Sequence, residues 1–357
     1  PKRWNPNKID KDDAMLRNSI KVALGSAFIN VAIKRATHEH GFILVLHRVV
    51  ERCEDACLPH NSAYCISKSR FTHLLCFLKQ HFQLVGLEEV LANTPSQKPK
   101  LALTFDGGWG DNYRHAFPVL QKLSIPATMF LSTAYIGEAR GFWWESVARR
   151  LWNKPETVDQ ERLIMALAGS GIDPYIELFD TEKNHTRSRL IARFIQQLNQ
   201  LDPIYLNRLV ADIFFDGRGH AMNWQEVAFM ERSGLIRFGA NGHEHYDLTR
   251  LPPVAYTEDV LISQRLLEQN CTKPLKQYAY PGGAHHADLH QLLSSLGFTH
   301  GLSSDSGVLR QGVNQYALPR IEVNQRAAEQ PSLLAWRILQ AQRKSSKLLC
   351  ASDFSYA

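Results

Sequence analysis

The chain has 357 residues, 44% apolar and 21% charged, which excludes intrinsic disorder and leaves room for one large core or two smaller ones. Its formal charge of +6 makes the surface mildly basic. No basic run is interleaved with aromatics, so nucleic acid is not an expected partner, whereas an anionic glycan or a membrane surface stays open. No segment reaches the roughly 18 to 20 apolar residues that span a bilayer.

Within residues 1–40, Leu16, Ile20, Ala23, Ala27 and Val31 fall near a 3.6 period and predict an amphipathic N-terminal helix over 12–35. Lys21, Lys34 and Arg35 flank its apolar run, so it either packs on the fold or lies peripherally on the inner membrane. "FILVLHRVV", 42–50, reads as a β-branched strand and 69–82 as a helix. "FQLVGL" and "EEVLAN" follow as strand and helix, then strand "KLALTFD", helix "DNYRHAFPVLQKLS" and strand "IPATMFLST". Such alternation implies parallel strands with right-handed crossovers, an α/β chain. It stops near Trp143; "RLIMALAG", "RLIARFIQQLNQL" and "LNRLVADIF" predict a helical insertion over about 145–223. Alternation resumes with strand 235–241, helix 256–269, "KQYAYPGG", a helix from Ala287, "FTHGLS" and "YALPRIEVN". One elaborated domain over 41–325 and a helical tail over 326–357 result.

Six cysteines form no repeated Cys-x-x-Cys pairs, so reduced thiols in a cytoplasmic protein are expected. Cys53 and Cys57 with His60 resemble part of a zinc site, but no fourth ligand declares itself.

In parallel α/β folds, functional groups gather where loops converge at the C-terminal ends of strands. The predicted strands end at His47, Asp106, Asn241 to His245, Tyr280 to Gly283, and Arg320. Trp109, Trp143 and Trp144 either stack on sugar rings or fill the core. Asp111 stands at the start of a helix, where its carboxylate is expected to cap backbone N–H groups.

The order "VLHRV", "LTFDGGWGDNY", "IPATMFLST", "FGANGHEHYDLTRL", "YAYPGG" and "LPRIEV" resembles the polysaccharide deacetylases with a NodB homology domain, carbohydrate esterase family 4, over roughly residues 40 to 325. The resemblance implies a distorted (β/α) barrel that removes an N-acetyl or other N-acyl group from an amino sugar, in exopolysaccharide, capsule or O-antigen assembly. It implies an N-acylated saccharide as partner, with a lipid-linked one as an option, and a divalent metal, zinc, nickel or cobalt. It makes Asp106 the general base, and Arg320, in place of an arginine missing from "YAYPGG", the group that pairs with it. His47 or His245 becomes the acid or carbonyl-polarising group, and Trp109, Asn241, His243, Tyr280 and Trp144 contact the sugar.

Two of the three metal-ligand positions depart from the family pattern: Gly107 stands for an aspartate and Asn241 for a histidine. A bound metal brings the pKa of water from about 15.7 to about 7, so its loss forfeits at most roughly 11 kcal/mol. Three routes stay open. His243, His245 and Asp106 form a substitute metal site; Asp106 and a histidine hydrolyse without metal; or the barrel binds a saccharide without cleaving it.

Overall fold

The computed structural model describes residues 41–52, 58, 64–92, 94–153, 155–174, 185–215 and 217–352. The predicted N-terminal helix and the Cys53, Cys57 and His60 group lie outside the described residues.

Five consecutive apolar residues, all buried, make strand β1 (Phe42–Leu46). The predicted strand over 42–50 breaks at His47. Beyond it, β2 (Arg48–Val50) leaves the main sheet to pair with β3 (Cys65–Ser67). Cys65 is disulfide-bonded, which corrects the expectation of reduced thiols at that position; Cys76 and Cys271 are free. Spacing along a sequence does not show which cysteines meet in space. The Ser67 side chain caps α1 (Lys68–His81) by accepting from Arg70 N. Next come β4 (Gln83–Leu84), α2 (Leu87–Leu91) and the fully buried β5 (Lys100–Gly107).

The helix predicted over 111–124 opens with a π turn, Asn112–Ala116, before α3 (Phe117–Leu123). Pro118 has no N–H to give Arg114 O, and Phe117 N reaches back to Asn112 O instead. β6 (Ala127–Leu131) follows. The insertion contributes α4 (Trp143–Asn153), α5 (Gln160–Leu167), α6 (His185–Leu198) and α7 (Pro203–Ile213). Val147, Leu151, Leu163, Phe194, Leu206 and Phe214 belong to a core of its own. After it come α8 (Trp224–Arg232), β7 (Ile236–Ala240), α9 (Pro253–Asn270), β8 (Gln277–Ala279), α10 (Ala287–Ser295), β9 (His300–Leu302) and β10 (Ile321–Glu322). The chain closes with α11 (Gln325–Glu329) and α12 (Pro331–Ser352).

Among the described residues the main sheet has eight strands, all paired in parallel, in the order β10-β1-β5-β6-β7-β8-β9 with β4 beside the start of β5. It curls until its edges touch: Leu318 N donates to Gly301 O at 2.8 Å and Ser303 N to Leu318 O at 2.9 Å. This narrow seam closes a distorted (β/α) barrel. Glycine is required at it, because a Cβ on Gly301 would lie 2.6 Å from Tyr280 Oη and 2.7 Å from Tyr316 O. Gly301→Ala is therefore expected to cost about 1–3 kcal/mol, read as a lower urea midpoint with an unchanged m value.

Candidate active site

At the C-terminal ends of the strands the barrel opens into a cavity of about 370 Å³, lined by His47, Asp106, Trp109, Trp144, His245 and Arg320 among others. Asp106 sits one residue before β5 ends. Arg320 stands just before β10, where the seam lets its Nε donate to Ser303 O at 2.9 Å. From there Nη1 and Nη2 donate to the two carboxylate oxygens of Asp106 at 2.8 and 2.7 Å. Both side chains are buried, and the fork fixes the carboxylate in orientation. The pairing implied by the family resemblance is thus made from a different strand.

His47 occupies the break between β1 and β2, and its Nδ1 is buried without a hydrogen-bond partner. Burial holds its pKa below the ordinary 6.5, against the pull of Asp106 and Glu322. His245 reaches the cavity through a left-handed backbone, φ 56°, a conformation a non-glycine residue rarely adopts. Its Nδ1 lies 2.8 Å from Ser132 Oγ, which donates to Asn241 O at 3.1 Å. The serine proton being committed, His245 Nδ1 is the donor and Nε2 is left with its lone pair. Burial lowers the His245 pKa to about 4, so the ring is neutral at pH 7.

The loop from Asn241 to His245 is shaped from behind. Asp259 on α9 accepts from His243 N and Glu244 N, both at 2.8 Å, and Ser263 donates to Gly242 O at 3.0 Å. Burial pushes the Asp259 carboxyl up to about 6 despite those two N–H groups. On the other side Glu244 accepts from Arg140 at 2.7 Å and from Asn207 of α7 at 3.2 Å, which ties the insertion to the loop.

Three residues expected to contact the sugar do not face the cavity. Asn241 is fully buried, with Nδ2 donating to Ala279 O at 2.9 Å and Oδ1 accepting from Ser132, so it joins β6, β7 and β8. His243 pairs with Thr133 Oγ1 at 3.0 Å, away from the cavity, because the loop turns at Gly242 and His245 and Asp259 holds it at His243 N and Glu244 N. The Tyr280 ring is buried and its hydroxyl donates to Tyr316 O. Asp111 does not cap its helix either; it accepts from Arg48 Nε at 2.7 Å. That arginine is also 3.6 Å from buried Glu145 and stacks at 4.5 Å over Trp109.

Tyr64, Phe142, Arg48, Glu145 and Glu322 complete the wall without having been singled out from the sequence. Glu145, directly after the paired tryptophans, and Arg48, directly after His47, carried some signal. Ser132 and Asp259, which act through the loop, carried none.

The sequence pattern of the polysaccharide deacetylase family matches residues 93–162 and 201–301. The poly-β-1,6-N-acetyl-D-glucosamine N-deacetylase of Staphylococcus aureus is 21% identical over 278 residues, 74% of this chain and 70% of that protein. IcaB from Ammonifex degensii has the same fold, with a TM-score of 0.54 at 19% identity over 84% of this chain and 97% of its own. So has the Streptococcus pyogenes deacetylase PplD, solved in complex with acetate, at 0.53 and 17% over 85% and 98%. The chain belongs to the polysaccharide deacetylase family.

The residues at the family's metal position do not fit a metal. Gly107 has φ +98°, and a Cβ there would lie 2.8 Å from Trp109 Nε1, so the indole takes the space an acid would need. Asn241 is turned into the sheet, and both Asp106 oxygens are engaged by Arg320. His243 faces away, which corrects the substitute site of His243, His245 and Asp106. Among the described residues no three His, Cys, Asp or Glu side chains converge as metal ligands.

Restoring the acid and the histidine in Gly107→Asp/Asn241→His is therefore expected to yield no stoichiometric zinc until Trp109→Ala is added, as measured by elemental analysis and calorimetry. A second expectation concerns pH. The unfolded His245 takes up its proton near 6.5 and the folded one near 4. Its contribution to stability is full above pH 6.5, falls as pH drops from 6.5 to about 4, and levels off below. His245→Asn, compatible with the left-handed backbone, should lower the proton uptake on unfolding in that window by roughly one, measured from urea midpoints against pH.

Proposed function

We propose that this chain is a carbohydrate N-deacetylase that removes the acetyl group from an amino sugar of an exopolysaccharide, without the family's usual metal centre. The observation that carries this is the Asp106 carboxylate, clamped by Arg320 at one side of an aromatic-walled cavity that also holds two neutral histidines. The likeness to the S. aureus enzyme supports an N-acetylglucosamine polymer as the substrate class.

In this reading a sugar rests against Trp144, a half-buried indole in the cavity wall, while Trp109, covered by Arg48 and Phe142, closes the wall behind it. Asp106 accepts the proton of a water placed beside the amide carbon, and attack forms the tetrahedral oxyanion. Arg320 keeps both carboxylate oxygens oriented and its positive charge close to the developing negative charge. The proton that Asp106 took from water is then handed, with the neutral His47 ring as relay, to the leaving nitrogen as the C–N bond breaks, which frees acetate and the amine. His245, with its Nδ1 proton given to Ser132, presents an acceptor at Nε2 that orients a substrate N–H or hydroxyl. Cys65 in a disulfide favours an oxidising compartment over the cytoplasm.

One observation favours a second reading, binding without hydrolysis: the Trp109 indole stands where the family's metal-binding acid would be. Asp106→Asn separates the two. The deacetylase reading expects acetate release to fall about 10²- to 10⁴-fold while circular dichroism and sugar binding persist. Release that survives the substitution, or wild-type protein that binds acylated sugar and frees no acetate, rejects it.

A further inference from the structure

We infer that the Glu322 carboxylate, beside His47 and Tyr64 at the rim of the cavity, holds the ammonium group of the deacetylated sugar. This rests on the deacetylase reading and adds to it a residue that makes the site favour its own product.

The sheet sets the place of Glu322. In β10 it is the register partner of Val45 in β1, which is in turn the partner of Thr104 in β5. Side chains at paired positions of neighbouring strands leave the sheet on the same side, and Val45 and Glu322 both line the cavity. His47, two residues beyond Val45, lines it as well. Tyr64 arrives from the small two-stranded sheet, one residue before Cys65, whose register partner is Arg48. That pairing brings its ring edge-on to His47 at 5.2 Å. The end of β10 is fixed by α12, where Arg337 Nη1 donates to Glu322 O at 2.7 Å.

Both arginines that line the cavity are held by other carboxylates. Arg320 is bidentate on Asp106, while Arg48 donates to Asp111 and lies 3.6 Å from Glu145. Glu322 stands apart from these two groups. Burial and the Glu322 charge hold the Tyr64 phenol above its ordinary 10, so it stays a neutral hydroxyl whose oxygen can accept. The reaction changes the charge at one atom of the sugar. Hydrolysis leaves acetic acid and an amine, and at neutral pH the proton of the acid ends on the amine, so an uncharged amide nitrogen becomes a cation. His47 relays a proton to that nitrogen, which places the nitrogen on the side of the cavity that Glu322 and Tyr64 share. An ammonium there gains charge-assisted hydrogen bonds to a carboxylate that neither the amide nor a hydroxyl makes.

The test compares the full-length wild type with Glu322→Gln and Glu322→Asp, substitutions at an exposed position. Binding of glucosamine and of glucose is measured by calorimetry at about pH 6, where an amine is charged, and acetate release from an N-acetylglucosamine oligomer is followed in the same preparations. The wild type is expected to bind glucosamine about three- to tenfold tighter than glucose. Glu322→Gln should lose that preference and Glu322→Asp should keep it, while circular dichroism and the KM for the uncharged oligomer stay as they were. A preference that survives in Glu322→Gln, or is absent from the wild type, overturns the ammonium site and leaves the deacetylase reading standing wherever acetate is released. A wild type that frees no acetate removes both.

Discussion

The barrel is organised around a buried ion pair. Asp106 comes from the middle of the sheet and Arg320 from the seam where its edges meet, so the pair joins residues 214 positions apart. Removing either partner of a buried pair costs about 3–5 kcal/mol because the other charge is stranded away from water. Arg320 satisfies the rest of its fork on Ser303 O, one of the residues that makes the seam. Closure of the barrel and orientation of the candidate base are thus the same event. An arginine on the usual loop is dispensable because the seam delivers one with bidentate geometry.

A second constraint acts through the loop from Asn241 to His245. Its left-handed turn at His245 is of a kind that costs about 1–3 kcal/mol, and it persists because Asp259, Ser263, Ser132 and Glu244 over-determine it. The result is one histidine in the cavity and its neighbour two positions away outside it. Asn241, in place of a histidine, joins strands by side-chain hydrogen bonds, a role that amide donor and acceptor groups fill well. The altered position is therefore integrated into the barrel and not merely vacant of a ligand.

Trp109 gives the same lesson at the other altered position. The indole is packed at 4.5 Å against Phe142 and covered by Arg48, whose charge is neutralised by Asp111 and Glu145. Gly107 is what lets it lie there. The two departures from the family pattern are each locked by several neighbours, so the cavity has been rebuilt as a unit, with an aromatic wall in place of one ligand.

Periodicity and strand-end residues by themselves determined the α/β class, the helical interruption after Trp143 and the candidacy of Asp106, Arg320, His47 and His245, and the resemblance of the ordered motifs to the deacetylases implied the barrel. These are legible because strand alternation, helical period and the order of motifs are local properties of a chain. Local patterning did not show the break at His47, the π turn before Pro118, the burial of Tyr280 or the disulfide at Cys65. Nor did it show that Asp111 pairs with Arg48 or that Trp109 stands over Gly107. Each depends on which atoms lie across from a residue once the sheet has closed. That is set by packing between distant segments, so only the tertiary structure decided which of the candidate side chains share the cavity and which hold it together.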